Sequence, residues 1–266
     1  MRITLLIFGL SILYPSTSAA QDPALQRLED SPRHHEWGAI PQGDRIVHAF
    51  VVYPERETPA PAVIVIHENR GLNDWVRSVA DRLAEHGYLA IAPDLLSGMG
   101  PEGGKTSDFP DSDAAREALY QLPPDQVTAD LNAAADYVAS LPAADGSVSV
   151  SGFCWGGSQT FRFATNRSGL DAAFVFYGSG PTDPDAIGRI NAPVFGFYGG
   201  DDARVNATIP DSEKLMKAAS KKYEPVIYDG AGHGFMRRGE TAPAGDPNAV
   251  AHERAWTRWL TLLEKL

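Results

Sequence analysis

Three places in this chain carry residue types that could do chemistry together. The sharpest is Gly152-Phe153-Cys154-Trp155-Gly156-Gly157, which holds the single cysteine of the chain between glycines. A nucleophile so flanked suits a tight strand-to-helix turn, where the backbone is strained and larger neighbours would clash. The turn would also set the thiol at a helix N-terminus, where unpaired N–H groups and the helix dipole favour a thiolate. A buried, inert cysteine in a glycine-rich turn has the same local composition, so the reading depends on partners. Those lie downstream, in Gly199-Gly200-Asp201-Asp202 and in Gly230-Ala231-Gly232-His233-Gly234-Phe235. His233 could take the thiol proton, and a carboxylate could hold the imidazole in one tautomer and stabilise its cation. On residue type alone either Asp201 or Asp202 could supply that carboxylate. The third place is His67-Glu68-Asn69-Arg70-Gly71. Position 71 is glycine, so the second histidine of a zinc-binding helix is absent and no metal is expected. His34-His35-Glu36 has no partner at ligand spacing either and reads as a solvated segment.

Such residues must be positioned by a scaffold, and the apolar pattern supplies one. Residues 62–66 are a continuous β-branched run, as in a strand buried on both faces of a parallel sheet. Further strands are expected at 45–53, 88–92, 147–151, 173–177, 194–198 and 223–228. Between them Val76, Val79, Ala80, Leu83 and Ala84 recur at helical spacing, as do Val127, Leu131, Ala134, Ala135 and Val138. Helices are also expected from Ser158, at 211–220, and around His252, Trp256, Trp259, Leu260 and Leu263, whose aromatic residues read as core. Strands alternating with helices imply an α/β architecture: one domain with a mostly parallel central sheet and helices on both faces. Cys154, the Asp201-Asp202 pair and His233 then follow the C-terminal ends of three strands, the edge where parallel sheets build their sites. The nucleophile-acid-base order is that of α/β-hydrolases. In that arrangement the main-chain N–H groups of Trp155 and of Asn69, in the loop after 62–66, would hold an oxyanion. Residues 95–124, rich in glycine and proline with a short helical stretch at 114–122, read equally as a lid and as a mobile insertion.

Composition narrows the class. The 266 residues are 43% hydrophobic and 21% charged, a globular mix. Asp and Glu number 34 against 23 Lys and Arg, a net charge of -11, which argues against nucleic acid or an anionic membrane surface as partner. One cysteine excludes an internal disulfide framework. Arg2, the apolar residues 3–14 and the small-residue stretch ending at Ala20 read as a secretory signal over 1–20, too short an apolar run to span a membrane. The expectation is an exported, periplasmic or secreted domain over 21–266, monomeric and without stable membrane association.

The chain resembles the dienelactone hydrolase family of α/β-hydrolases from about Val47 to the C-terminal helix. The matching pieces are His67-Glu68 with Gly71, Ala92-Pro93-Asp94-Leu95, the Cys154 motif, Tyr177-Gly178, Gly199-Gly200-Asp201-Asp202 and Gly232-His233-Gly234-Phe235. The resemblance implies a triad of Cys154, Asp202 and His233, with Asp202 chosen because it stands three residues before Val205. It implies that Glu68 contacts the thiol at rest and moves when substrate binds, and that no cofactor is needed. It also implies substrate contacts from Tyr177 and from Arg237, four residues after the histidine. Members acting on dienelactone place a second arginine after the Asp-Leu segment, where this chain reads Asp94-Leu95-Leu96-Ser97-Gly98; Arg70 or Lys105 are the substitutes in sequence. The expected reaction is hydrolysis of a lactone or small ester through an acyl-thioester. The alternatives are a broader esterase or thioesterase on the same fold, and a catalytically silent thiol protein with a binding or redox role.

Overall fold

The computed structural model describes residues 22–266, so the signal expected at 1–20 lies outside the described residues. Helix α1 (Pro23–Asp30) leads into β1 (His35–Gln42), β2 (Arg45–Val52), β3 (Ala60–Ile66), α2 (Asp74–Glu85) and β4 (Leu89–Pro93). Then come α3 (Ser112–Tyr120), α4 (Pro124–Ser140), β5 (Ala144–Phe153), α5 (Trp155–Ala164), β6 (Ala173–Phe176) and α6 (Pro184–Gly188). The chain closes with β7 (Val194–Gly199), α7 (Ala203–Asn206), α8 (Ile209–Ala218), β8 (Tyr223–Tyr228), α9 (Phe235–Arg238) and α10 (Pro247–Leu263).

The strands form one sheet in the order β1-β2-β4-β3-β5-β6-β7-β8. β1 and β2 run antiparallel to each other, and β2 antiparallel to β4; every pairing from β4 to β8 is parallel. The apolar runs explain the centre. Val63, Ile64, Val65 and Ile66 of β3 are all fully buried because helices cover both faces. On one face Ile64 and Ile66 pack with Leu131, Ala135 and Val138 of α4 and Phe161 of α5. On the other Val63 and Val65 join Val76, Val79 and Leu83 of α2 and Trp256 and Trp259 of α10. The expected α/β architecture with helices on both faces is therefore the observed one.

Two parts of the fold add to the sequence reading. His34 is exposed, as in a solvated segment, whereas His35 and Glu36 open strand β1 and their polar groups are tied down. The His35 Nε2 lies 2.9 Å from Asp81 of α2, and the Tyr53 hydroxyl donates to Glu36 at 2.5 Å. The partner that orders His35 is 46 residues away in sequence, beyond any local pattern. The 95–124 stretch is likewise an ordered crossing. Asp94 accepts hydrogen bonds from the backbone N–H of Thr106 at 3.0 Å and from its hydroxyl at 2.6 Å, and Thr106 Oγ1 in turn accepts from the Leu72 N–H at 3.1 Å. That pins the insertion beside the loop after β3 and leads it into α3, capped by Asp111.

Candidate active site

β5 ends at Phe153 and α5 begins at Trp155, so the whole turn between them is one residue, Cys154. Its backbone sits at φ 56, ψ −115, a conformation that a non-glycine residue adopts only when its surroundings impose it. The flanking glycines make room for it. A Cβ on Gly152 would stand 2.3 Å from the Gly156 carbonyl oxygen, and one on Gly156 would stand 2.3 Å from that of His67. Helix α5 thereby packs directly on β5 and on the end of β3, and brings the loop after β3 against the nucleophile turn.

That contact sets two main-chain donors at one atom. The backbone N–H groups of Trp155 and Asn69 both act on the Cys154 sulfur. His67 braces the arrangement from behind. It is fully buried, its ring stacks on Trp155 with centroids 5.6 Å apart and planes 10° from parallel, and its Nδ1 is 2.8 Å from the Glu68 carbonyl. Burial lowers the His67 pKa, so the imidazole is neutral: Nδ1–H donates to the Glu68 carbonyl and Nε2 accepts from the Leu95 N–H at 3.4 Å. Nothing in the spacing of residues 67–71 distinguished this bracing role, because Trp155 and Leu95 reach His67 only through the sheet.

At the ends of β7 and β8 the two candidate partners meet. The His233 Nδ1 lies 2.5 Å from Asp202 Oδ2. Asp202 is buried, and its other oxygen accepts from the Val205 N–H at 3.4 Å, so it also caps α7. The neighbouring Asp201 is exposed, which settles which of the two aspartates faces the imidazole. Tyr177 packs edge-on against the His233 ring with centroids 5.1 Å apart. Its φ is 40, its side chain is fully buried, and its hydroxyl has no hydrogen-bond partner among the described residues. Burial, followed by the Glu68 charge, holds that phenol well above its ordinary pKa, so it stays protonated.

Electrostatics at the thiol run opposite to the expectation of a ready thiolate. Burial raises the Cys154 pKa most, the Glu68 carboxylate adds to it, and the donations from Trp155 and Asn69 with the Arg204 charge offset only part. The position at the start of α5 is therefore outweighed by desolvation and by a nearby negative charge. Glu68 itself is buried and accepts from Arg237 Nε at 2.9 Å.

Cys154, Trp155 and Tyr177 open onto a cavity of about 190 Å³. Ser158 and Ser179 line it, Tyr120 at the end of α3 closes one side, and Arg204 and Val205 of α7 form another. The Asn69 side-chain amide reaches the Tyr120 hydroxyl at 3.4 Å, so the 95–124 insertion forms a wall beside the loop after β3. The structure sets the cationic residues of the sequence reading in different surroundings. Arg237 is engaged by Glu68. Arg70 is exposed and outside the cavity wall, and Lys105 lies 5.2 Å from the ring of Trp37. The cation on the wall is Arg204, which sequence reasoning missed; its place two residues after Asp202 was the signal available. Among the described residues no cluster of three or more His, Cys, Asp or Glu is placed to hold a metal ion, and no helix is long and apolar enough to cross a membrane.

Comparison with known proteins adds the family. The sequence profile of the dienelactone hydrolase family matches residues 47–266. A protein of Escherichia coli (strain K12) named "Putative carboxymethylenebutenolidase" is 33% identical over 234 residues, 82% of each chain. The carboxymethylenebutenolidase of Pseudomonas putida is 29% identical over 216 residues, covering 78% of this chain and 89% of its own. The crystal structure of a "Putative Dienelactone Hydrolase" from Klebsiella pneumoniae superposes with a TM-score of 0.74 at 29% identity, covering 86% of this chain and 97% of its own. With a profile match over most of its length and a fold that superposes on that neighbour, this protein belongs to the dienelactone hydrolase family and is a hydrolase of ester or lactone bonds.

Proposed function

We propose that the protein hydrolyses a small carboxylic ester or lactone with Cys154 as nucleophile, His233 as general base and acid, and Asp202 as the group that orients His233. The observation that carries this reading is the convergence at Cys154. A nucleophile in a strained one-residue turn is acted on by two main-chain N–H donors, and Tyr177 of the same cavity packs against an imidazole already held by a buried carboxylate. The Cys154 sulfur attacks the carbonyl carbon while His233 Nε2 takes its proton. The carbonyl oxygen becomes an oxyanion held by the N–H groups of Asn69 and Trp155, a type of contact worth roughly 10²–10³ in turnover per donor. Collapse breaks the ester C–O bond, and His233 returns the proton to the leaving alkoxide, leaving an acyl-thioester on Cys154. Water, deprotonated by His233, then cleaves the thioester and restores the thiol. In a lactone the alcohol stays tethered and the product is a single hydroxy acid.

Glu68 gates this sequence. With the Glu68 charge felt at the sulfur the thiol rests neutral; displacement of that charge by a bound substrate lowers the barrier to ionisation. Arg237, the partner of Glu68, takes part in that gate, and Tyr177 offers its unpaired hydroxyl to substrate. A purely redox role fits poorly, because reactive sensor thiols are held below their ordinary pKa and this one is held above it. We also propose that the chain is exported by its first twenty residues and acts as a monomer; the N-terminal residue of the mature protein and its sedimentation check both.

The test is turnover of p-nitrophenyl acetate and a small lactone panel by purified protein and by Cys154→Ala. The expected result is hydrolysis by the native chain and a loss of at least ~10³-fold in kcat for the variant with an unchanged circular dichroism spectrum. Retained activity in that variant would remove Cys154 from the mechanism.

A further inference from the structure

We propose that Asn248 and His252 of α10 are positioning residues of this site. Standing one helical turn apart on the same face, they hold the segment 232–239, which carries both His233 and Arg237. This rests on the hydrolase reading above and adds to it the groups that keep its base and its Glu68 gate in place.

The chemistry of each contact leaves one arrangement. At the first anchor the Gly232 N–H, immediately before His233, donates to Asn248 Oδ1 at 2.9 Å. The Asn248 amide nitrogen donates to the Asp246 carboxylate at 3.1 Å, and a carboxylate only accepts. The amide is therefore fixed with its oxygen toward Gly232. At the second anchor His252 Nε2 lies 3.1 Å from Arg82 Nη1. A guanidinium has no acceptor, so Nε2 receives that hydrogen bond and the ring proton sits on Nδ1. Nδ1–H then donates to the Met236 carbonyl at 2.6 Å, immediately before Arg237.

The segment between the anchors cannot hold itself. Helix α9 is four residues long, too short to be stable on its own hydrogen bonds. Its far end is pressed on the same two residues of α10. A Cβ on Gly239 would stand 2.4 Å from the Asn248 carbonyl oxygen and 2.5 Å from the His252 Cβ. Behind His252, the Arg82 guanidinium is seated 4.4 Å from the ring centroid of Trp256, so the imidazole has a firm backing. Each anchor thus lies one residue from a working group: His233, with Nδ1 2.5 Å from Asp202, and Arg237, with Nε 2.9 Å from Glu68. A displacement of about 1 Å at such a group can cost on the order of 10²-fold in rate.

The experiment reads the anchors separately in the full chain, with Asn248→Ala, His252→Leu, His252→Asn, Arg237→Gln and Leu263→Ala. Asn248→Ala is expected to lower kcat for p-nitrophenyl acetate about tenfold or more with KM little changed. It should also move the low-field NMR signal of the His233 Nδ1 proton. His252→Leu is expected to shift the iodoacetamide alkylation profile of Cys154 to higher pH, as Arg237→Gln does, because a displaced Arg237 leaves the Glu68 charge less compensated at the sulfur. His252→Asn sets an amide N–H near the place of Nδ1 and should restore most of the native profile. Leu263→Ala removes buried packing about three turns further along α10. It should lower Tm while leaving kcat and the alkylation profile unchanged. A native kcat and His233 signal in Asn248→Ala, an unmoved profile in His252→Leu, or equal changes in Leu263→Ala would overturn the proposal. Should His252→Leu fail to fold, Asn248→Ala decides. No ester turnover by the native chain would instead sink the hydrolase reading, and the NMR and alkylation arms would still decide the anchors.

Discussion

At Cys154 the sulfur sees two opposing influences. Main-chain donors from Trp155 and Asn69 favour its ionised form, while burial and the Glu68 carboxylate disfavour it more strongly. A resting thiol that is mostly neutral resists adventitious oxidation, since the thiolate is the reactive species. Removing the negative charge should release it. Glu68→Gln is expected to shift the pH profile of iodoacetamide alkylation at Cys154 to lower pH, because the carboxylate raises the thiol pKa and its amide replacement does not. An unmoved profile would mean that Glu68 does not control the thiol. Asp202 lies at the same scale against His233, and its burial there points the same way as the resemblance, which took Asp202 over Asp201 from its place three residues before Val205.

Among the elements, the decisive packing is α5 against the ends of β3 and β5. The two N–H groups proposed to hold the oxyanion come from different segments, Trp155 from α5 and Asn69 from the loop after β3. Their convergence depends on how closely those segments approach, and Gly156 sets that distance. Gly156→Ala would drive a methyl group to 2.3 Å from the His67 carbonyl oxygen and 2.5 Å from that of Ile66, both backbone atoms with little freedom to retreat. The expected cost is about 3 kcal/mol of stability, the upper part of the usual overpacking range. Calorimetry would show it as a lowered Tm, with kcat falling further than KM rises. A Tm and kcat close to the native values would mean that the turn tolerates a wider separation and that close packing is not what aligns the donors.

Across the whole molecule, α1 and the β1–β2 hairpin are fastened to the rest through Asp81 of α2. Its fully buried carboxylate accepts from Ser31 and His35, and from Arg33 at 2.7 and 2.9 Å. Burial alone would raise this group, but donation from Arg33, Ser31 and His35 outweighs it and the pKa is held below the ordinary value. A carboxylate with a depressed folded-state pKa stabilises the fold above its unfolded value of about 3.9 and loses that contribution as pH falls through the folded one. Asp81→Asn is expected to cost about 3 kcal/mol at neutral pH, as for breaking a buried ion pair from one side. It should also flatten the acid limb of the stability curve below about pH 4. Urea unfolding followed across pH would measure both effects, and an acid limb as steep as in the native protein would reassign acid sensitivity to other carboxylates.

What the sequence determined by itself was whatever depends on neighbours along the chain. Unbroken β-branched runs mark strands covered on both faces, helical spacing marks the covering layers, and a glycine-flanked cysteine marks a one-residue turn, because each follows from local sterics and burial. The order of Cys154, Asp202 and His233 also survives in one dimension. Only the tertiary structure decided the rest. It joined His35 to Asp81 and Thr106 to Asp94, braced the loop after β3 and the start of α5 on His67, turned Arg237 toward Glu68, and set Arg204 on the cavity wall. These are pairings between charged or polar groups brought together by the sheet, and side-chain charge acts through distance in space, on which residue spacing is silent.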